Sequence, residues 1–229
     1  MTNEMGLEGA KAAILQAALV HVPFDGWSEA TLRAALGDSG LDPALGRALF
    51  PRGGVDLALA YHEAGDAAML DRLAATDLGA MRYRDRVAFA IRARLDAVED
   101  KELVRRGSAL FALPQYAADG ARAVWDTADA IWRALGDTST DLNWYSKRAT
   151  LSGVYAATVL YWLGDDSPGQ QATAEFLDRR IDNVMQVEKL KSSLRKNPLG
   201  KAMMDGPLKV FDRVKAPVPP TDLPGSLGN

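Results

Sequence analysis

Cysteine is missing from all 229 residues. That excludes a disulfide framework, a thiolate metal site, an iron–sulfur cluster and a thiol nucleophile. Histidine occurs only as His21 and His62, and neither has a Glu three positions before it. The Glu-x-x-His pairs of a di-iron bundle are therefore absent, as are His-Glu-x-x-His, Gly-x-Ser-x-Gly, Gly-x-Gly-x-x-Gly and a phosphate-binding Walker loop. Both histidines read as polar groups at helix ends, and the scattered Asp residues as helix caps and a solvated face. No catalytic residue, metal ligand or cofactor is expected, and an enzyme with its own active site is disfavoured. Excess positive charge is lacking too: 27 Lys and Arg face 30 Asp and Glu, a net charge of −3. A strongly basic nucleic-acid binder is disfavoured on that balance. The longest apolar-looking stretch, 151–163, contains Ser152, Gly153 and Thr158 and is too short to span a bilayer.

What is present is Ala- and Leu-rich helical pattern with no alternating strands, so the class is all-α. A first helix is predicted from about Glu8 to His21, ended by Pro23. Ser28 is an N-cap for a helix to Leu36, Gly37–Gly40 is a tight connection, and Asp42-Pro43 opens a third short helix to Phe50. Helix, helix, glycine turn, helix is a helix-turn-helix outline. Pro51-Arg52-Gly53-Gly54 marks a boundary, so residues 1–52 form a three-helix unit and 53–197 a helical body. Helices follow at 55–64, 66–79, 83–98, 101–112, 119–135, 140–163 and 168–195. In 119–135, Val124, Trp125, Ala128, Ile131 and Trp132 keep a 3.6-residue period. Pro217, Pro219, Pro220 and Pro224 mark 216–229 as a disordered tail.

The three-helix unit followed by a large helical body is similar to tetracycline-repressor-type regulators. That likeness implies DNA binding through the third helix. Between Met1 and Pro51, however, Lys11, Arg33 and Arg47 are outnumbered by Glu4, Glu8, Asp25, Glu29, Asp38 and Asp42. Affinity for DNA comes mostly from cations on phosphates, so no nucleic-acid partner is expected. A ligand-responsive transcriptional regulator of this type remains the alternative reading.

Residues 136–163 carry a denser signal. Asp137, Thr138, Ser139, Thr140 and Asp141, then Asn143, Trp144 and Tyr145, with Phe176-Leu177-Asp178-Arg179-Arg180-Ile181 downstream, resemble the ubiquinone-biosynthesis accessory family called coenzyme Q protein nine. The resemblance spans about 110–195. It implies a tetracycline-repressor-like bundle turned to lipid binding, with an isoprenoid quinone intermediate or other lipid as ligand. It also implies a partner, the membrane-bound di-iron demethoxyubiquinone hydroxylase, and no catalysis by the accessory protein itself.

Beside that resemblance, Thr138, Ser139, Thr140 and Asp141 offer side-chain acceptors for a helix N-terminus near Leu142. Trp144 and Tyr145 project about 100° apart in its first turn, which suits an interface hot spot. Asp141, Leu142, Trp144, Tyr145 and Arg148 are the candidate partner- or lipid-binding residues. Ala149, Gly153 and Ala157 form a small-residue stripe that lets another backbone approach, while Tyr155, Tyr161 and Trp162 read as core. A homodimer through 140–163 and 168–195 is expected. Segment 198–215 is basic and amphipathic, with Leu199, Met203, Met204, Leu208 and Phe211 as candidate membrane contacts. Met1–Gly9 shows neither the basic and apolar regions of a secretory signal nor transit-peptide bias. The expected place is therefore a bacterial cytoplasm, peripheral at the inner face of the cytoplasmic membrane.

Overall fold

The computed structural model describes residues 6–196. The chain folds as α1 (Leu7–Leu19), α2 (Val22–Asp25), α3 (Glu29–Ser39), α4 (Pro43–Leu49), α5 (Gly54–Ala74), α6 (Tyr83–Asp96), α7 (Lys101–Phe111), α8 (Ala117–Ala134), α9 (Leu142–Leu163) and α10 (Gln171–Lys196), with 3₁₀ turns at Leu78–Ala80 and Pro168–Gln170. No strand occurs among the described residues. The expected membrane contacts Leu199, Met203, Met204, Leu208 and Phe211, and the tail 216–229, lie outside the described residues.

Local chemistry sets most boundaries. Ser28 caps α3 by accepting from the Thr31 amide at 3.2 Å, and Thr31 donates its hydroxyl to the Gly26 carbonyl at 2.6 Å. Asp42 caps α4 by accepting from the Ala44 amide at 2.8 Å, with Pro43 in the first turn. Asp141 caps α9 by accepting from the Asn143 amide at 2.9 Å. Each cap satisfies an amide that the helix leaves unpaired. Gly37 to Ser39 continue α3, and the chain turns only at Gly40, whose φ of 64° favours glycine.

Two apolar clusters form the interior. The first joins α1, α3 and the start of α5 through Ile14, Leu15, Leu32, Leu36 and Leu57, with Trp27 donating its indole N–H to the Leu103 carbonyl at 3.0 Å. The second joins the rest of α5 to α6, α8, α9 and α10 through Met69, Ile91, Ile131, Leu151 and Leu177. Full burial of each such side chain contributes about 1.5–3 kcal/mol. The Pro51–Gly53 turn separates α4 from α5 but does not separate the clusters, because α5 supplies residues to both.

The expected break between 55–64 and 66–79 does not occur; α5 runs unbroken across Gly65. A glycine there leaves room for a long-range partner. A Cβ at Gly65 would lie 2.5 Å from the central carbon of the Arg94 guanidinium on α6. The expected close approach at Gly153 does not occur within the chain either: Ala149 and Gly153 are exposed, and nothing lies within 4 Å of a Cβ built on Gly153. Tyr155 and Trp162 are core residues, whereas Tyr161 is 39% exposed and stacks on Phe176 with ring centroids 4.4 Å apart.

Candidate ligand cavity and aromatic surface

A cavity of about 400 Å³ lies among α5, α6, α7, α8 and α9. Val104, Phe111, Val124, Val159 and Trp162 give it apolar walls, and exposed Leu160 also lines it. Tyr61, His62, Arg94 and Tyr155 make its polar part. This volume falls within the range of roughly 300–1,000 Å³ found for small-molecule sites, which combine mostly apolar walls with a few polar groups.

The polar part is built from helices far apart in sequence. Arg94 on α6, nearly fully buried, donates to Asp66 on α5 at 2.6 Å and to the His62 carbonyl at 3.1 Å. Thr127 on α8 donates its hydroxyl to Asp66 at 2.9 Å. His62 Nε2 lies 3.1 Å from the Ala123 carbonyl and 2.8 Å from the Thr127 hydroxyl oxygen. A carbonyl only accepts, so Nε2 carries the proton. Burial lowers the His62 pKa against the opposing pull of Asp66, which keeps the imidazole neutral at physiological pH. Burial likewise pushes the Tyr155 phenol up to about 12, leaving it an uncharged hydroxyl. Asp66 cancels Arg94, so the polar part of the cavity offers hydrogen bonds without net charge.

His62 was expected at a helix end. It stands in the middle of α5, more than two turns from either end, facing α8. Its partners are 61 and 65 positions away. His21 is a helix-end group as expected, N-terminal to α2 and 2.7 Å from Asp38.

The second assembly surrounds the start of α9. Trp144 and Tyr145 are half-buried, and Trp125 of α8 joins them. The Trp144 and Tyr145 rings meet edge to face at 4.7 Å, and the Trp125 ring lies 5.9 Å from Trp144 and 6.4 Å from Tyr145. Trp125, which keeps the 3.6-residue period of α8, belongs to this aromatic surface. Leu142 is 43% exposed and Asp141 is exposed at the helix cap. Of the candidate binding residues, these four stand at or near the surface.

Arg148 does not. Its side chain is 2% exposed, and it donates to Asp129 at 2.5 Å, to Asp137 at 3.0 Å and to the Trp144 carbonyl at 3.1 Å. Its guanidinium also lies 4.0 Å from the Trp144 ring centroid. Arg148 thus holds the aromatic surface from beneath. Lys147 donates to Asp137 at 2.6 Å and to the Ser139 hydroxyl at 2.7 Å. Burial alone would raise the Asp137 pKa, but hydrogen bonds from Lys147, Ser139 and Arg148 outweigh it and hold the carboxyl at about 2. Among the described residues, no group of three or more His, Asp or Glu is placed to hold a metal ion. No helix among them is long and apolar enough to cross a membrane.

The architecture is that of a tetracycline-repressor-like helical protein with a largely apolar cavity behind its three-helix unit. A TetR transcriptional regulator from Nitrosomonas europaea is similar at a TM-score of 0.62, covering 76% of this chain and 96% of that one, with 19% sequence identity. At that identity the likeness establishes the fold alone. The COQ9 family model matches residues 117–188. The chain is 30% identical over 194 residues to the ubiquinone biosynthesis protein coq9, mitochondrial, of Schizosaccharomyces pombe, covering 82% of this chain and 75% of that one. It is 34% identical over 191 residues to the ubiquinone biosynthesis protein COQ9, mitochondrial, of Drosophila melanogaster, covering 81% of this chain and 58% of that one. The chain belongs to the COQ9 family. It spans about three fifths of the length of the Drosophila relative.

These relatives correct one expectation. They are labelled mitochondrial, which overturns the assignment to a bacterial cytoplasm and the inner face of its cytoplasmic membrane. The absence of a readable signal in Met1–Gly9 carries no weight against them, because the matched stretch is only part of each relative.

Proposed function

We propose that this protein acts in ubiquinone biosynthesis by binding an isoprenoid quinone intermediate and presenting it to a membrane-bound di-iron demethoxyubiquinone hydroxylase, without catalysing the reaction itself. The observation that carries the reading is the α5–α9 cavity. Its apolar walls suit a prenyl tail. Its neutral hydrogen-bonding groups suit a quinone or quinol head, whose oxygens are uncharged, better than a fatty acid or phosphate, whose anion finds Arg94 already matched by Asp66. Membership of the COQ9 family supports the pathway.

The Trp125–Trp144–Tyr145 surface is the docking site for the hydroxylase, with Asp141 and Leu142 at its edge. Aromatic anchors held rigid from below are the usual centre of a protein interface. The protein works as a homodimer through the exposed faces of α9 and α10, where Gly153 has open space for a neighbouring backbone. It sits peripherally on a membrane, with 198–215 as the contact. Nucleic acid is not a partner: in the three-helix unit Asp42 opens α4, Lys11 is turned toward Glu63 at 3.5 Å, and Arg33 bonds its own helix at the Glu29 carbonyl.

The test is hydroxylation of demethoxyubiquinone carried by this protein. Hydroxylase turnover rises when loaded wild-type protein is supplied. It stays at baseline with Ala156→Trp, which fills the cavity from α9, and with Trp144→Ala/Tyr145→Ala. Equal stimulation by all three proteins would sink the proposal.

A further inference from the structure

The first cavity holds a cation whose charge is matched and whose hydrogen bonds are not. A guanidinium carries five N–H donors and no acceptor. Arg94 uses two of them, Nε on Asp66 at 2.6 Å and Nη2 on the His62 carbonyl at 3.1 Å. The two on Nη1 and the second on Nη2 find no acceptor among the described residues. Trp132 Nε1 and Ser152 Oγ also lack a partner, but they are sealed in the interior; Nη1 is not sealed and keeps accessible surface. The Arg94 side chain is 5% exposed and lines the cavity among α5–α9, so that surface belongs to the cavity.

The neighbouring groups are already engaged. Asp66 accepts from Arg94 Nε and from the Thr127 hydroxyl, and His62 Nε2 is turned to α8. Gly65 keeps the position open for the guanidinium, because a Cβ there would fall 2.5 Å from Nη1. Unmatched donors on a buried cation are costly, so their complement is an oxygen brought by a ligand. Arg94 is the single Lys or Arg lining the cavity among the described residues, and Asp66 answers its charge. A carboxylate or phosphate would stand beside Asp66 with no cation of its own, so the oxygen is uncharged. A carbonyl oxygen suits donors best, since it has lone pairs to accept with and no proton to place. Trp27, Tyr61 and Trp162 line the same cavity and favour a planar head over an acyl segment.

Given the lipid-carrying reading of this cavity, on which the assignment rests, we propose that Arg94 is its specificity-determining residue. The unmatched guanidinium N–H groups donate to a ring carbonyl of the ligand's head, and Asp66 keeps the site selective for an uncharged one. The apolar walls hold the tail without regard to its head. Discrimination between a quinone and a hydrocarbon of the same shape is therefore concentrated in one side chain on α6. A hydrogen bond from a charged donor separates the two by about tenfold to a hundredfold in affinity.

The test compares two probes on the full chain: a benzoquinone with a short prenyl tail, and the benzene with the same tail and no oxygen. Calorimetry gives both affinities, and infrared spectroscopy of the carbonyl-¹³C quinone reads its C=O stretch. The variant is Arg94→Met/Asp66→Asn, which removes both charges together so that neither is left stranded. Wild type binds the quinone about tenfold to a hundredfold more tightly than the benzene, and one bound C=O stretch falls below its value in hexane. The variant binds the benzene as wild type does, loses the preference for the quinone, and returns the stretch to its hexane value. The wild-type stretch decides even where the variant fails to fold: a bound quinone with both carbonyls at their hexane values overturns the assignment. So does equal wild-type affinity for the two probes, or a variant that keeps the preference. Equal losses of both probes in the variant mark Arg94 as structural and overturn it too. Each of these leaves the lipid cavity standing, whereas a wild-type protein that binds neither probe overturns the lipid reading and the Arg94 assignment with it.

Discussion

Replacing Arg148 by Ala tests the support of the aromatic surface. The side chain is 2% exposed and bridges Asp129 on α8, Asp137 before α9 and the Trp144 carbonyl on α9. Removing one partner of a buried ion pair costs about 3–5 kcal/mol, because the opposite charge is left desolvated. Two cations remain here: Lys147 still meets Asp137 at 2.6 Å and Arg133 still meets Asp129 at 2.7 Å. The loss therefore falls near the lower end, about 3 kcal/mol. For a chain of this size each kcal/mol lowers the midpoint by about 2–4 °C, so a drop of roughly 6–12 °C is expected. Scanning fluorimetry at neutral pH measures it. The triple variant Asp129→Asn/Asp137→Asn/Arg148→Met, which removes the charges together, recovers most of the loss if stranded carboxylates are its cause. A drop below about 2 °C in Arg148→Ala would refute the buried-triad argument, and no recovery in the triple variant would refute its electrostatic origin.

The double variant Trp144→Ala/Tyr145→Ala lowers the midpoint by no more than a few degrees and weakens hydroxylase binding by about thirtyfold to a thousandfold, from hot-spot losses of about 2–4 kcal/mol; pull-down beside fluorimetry separates surface from core. Gly65→Ala destabilises the protein in urea melts by about 1–3 kcal/mol despite the roughly 1 kcal/mol helix preference for Ala, since its Cβ meets the Arg94 guanidinium; a stabilised variant would contradict the packing described. Asp137 is held at about 2, below its ordinary value of 3.8, so its contribution is complete above about pH 4 and fades as pH falls through about 2. Midpoints of wild type and Asp137→Asn therefore converge between pH 4 and 2, and a gap that stays constant would contradict the assignment.

Local signals in the chain marked the local structure. Ser28 and Asp42 cap helices where their side chains predict, and Asp141 is the one of four candidate acceptors, 138–141, that caps α9, because a cap needs only residues two or three positions away. The continuity of α5 was hidden, since Gly65 answers to Arg94, 29 positions on. The same distance problem hid the polar part of the cavity. His62, Asp66, Arg94, Thr127 and Tyr155 are unremarkable in sequence and meet only when four helices pack. Trp125 keeps the 3.6-residue period of α8 and joins the aromatic surface, because period fixes the face of a helix and not what covers it. Arg148 lies one turn from Trp144 on the same face of α9, but Asp129 on α8 and Asp137 before α9 cover it, and spacing along one helix does not show what another element covers. The pattern of residues 137–145 was readable as a family resemblance, and family membership agrees with it.

The proposed function requires the α5–α9 cavity to carry a neutral prenylated lipid. Native mass spectrometry of full-length protein purified without detergent, compared side by side with Ala156→Trp, tests it most directly. The wild-type protein is expected to carry a lipid that organic extraction identifies as a prenylated quinone or its precursor, and folded Ala156→Trp to lose it. A wild-type protein with no such lipid, or an Ala156→Trp variant carrying as much of it as wild type, would contradict the account.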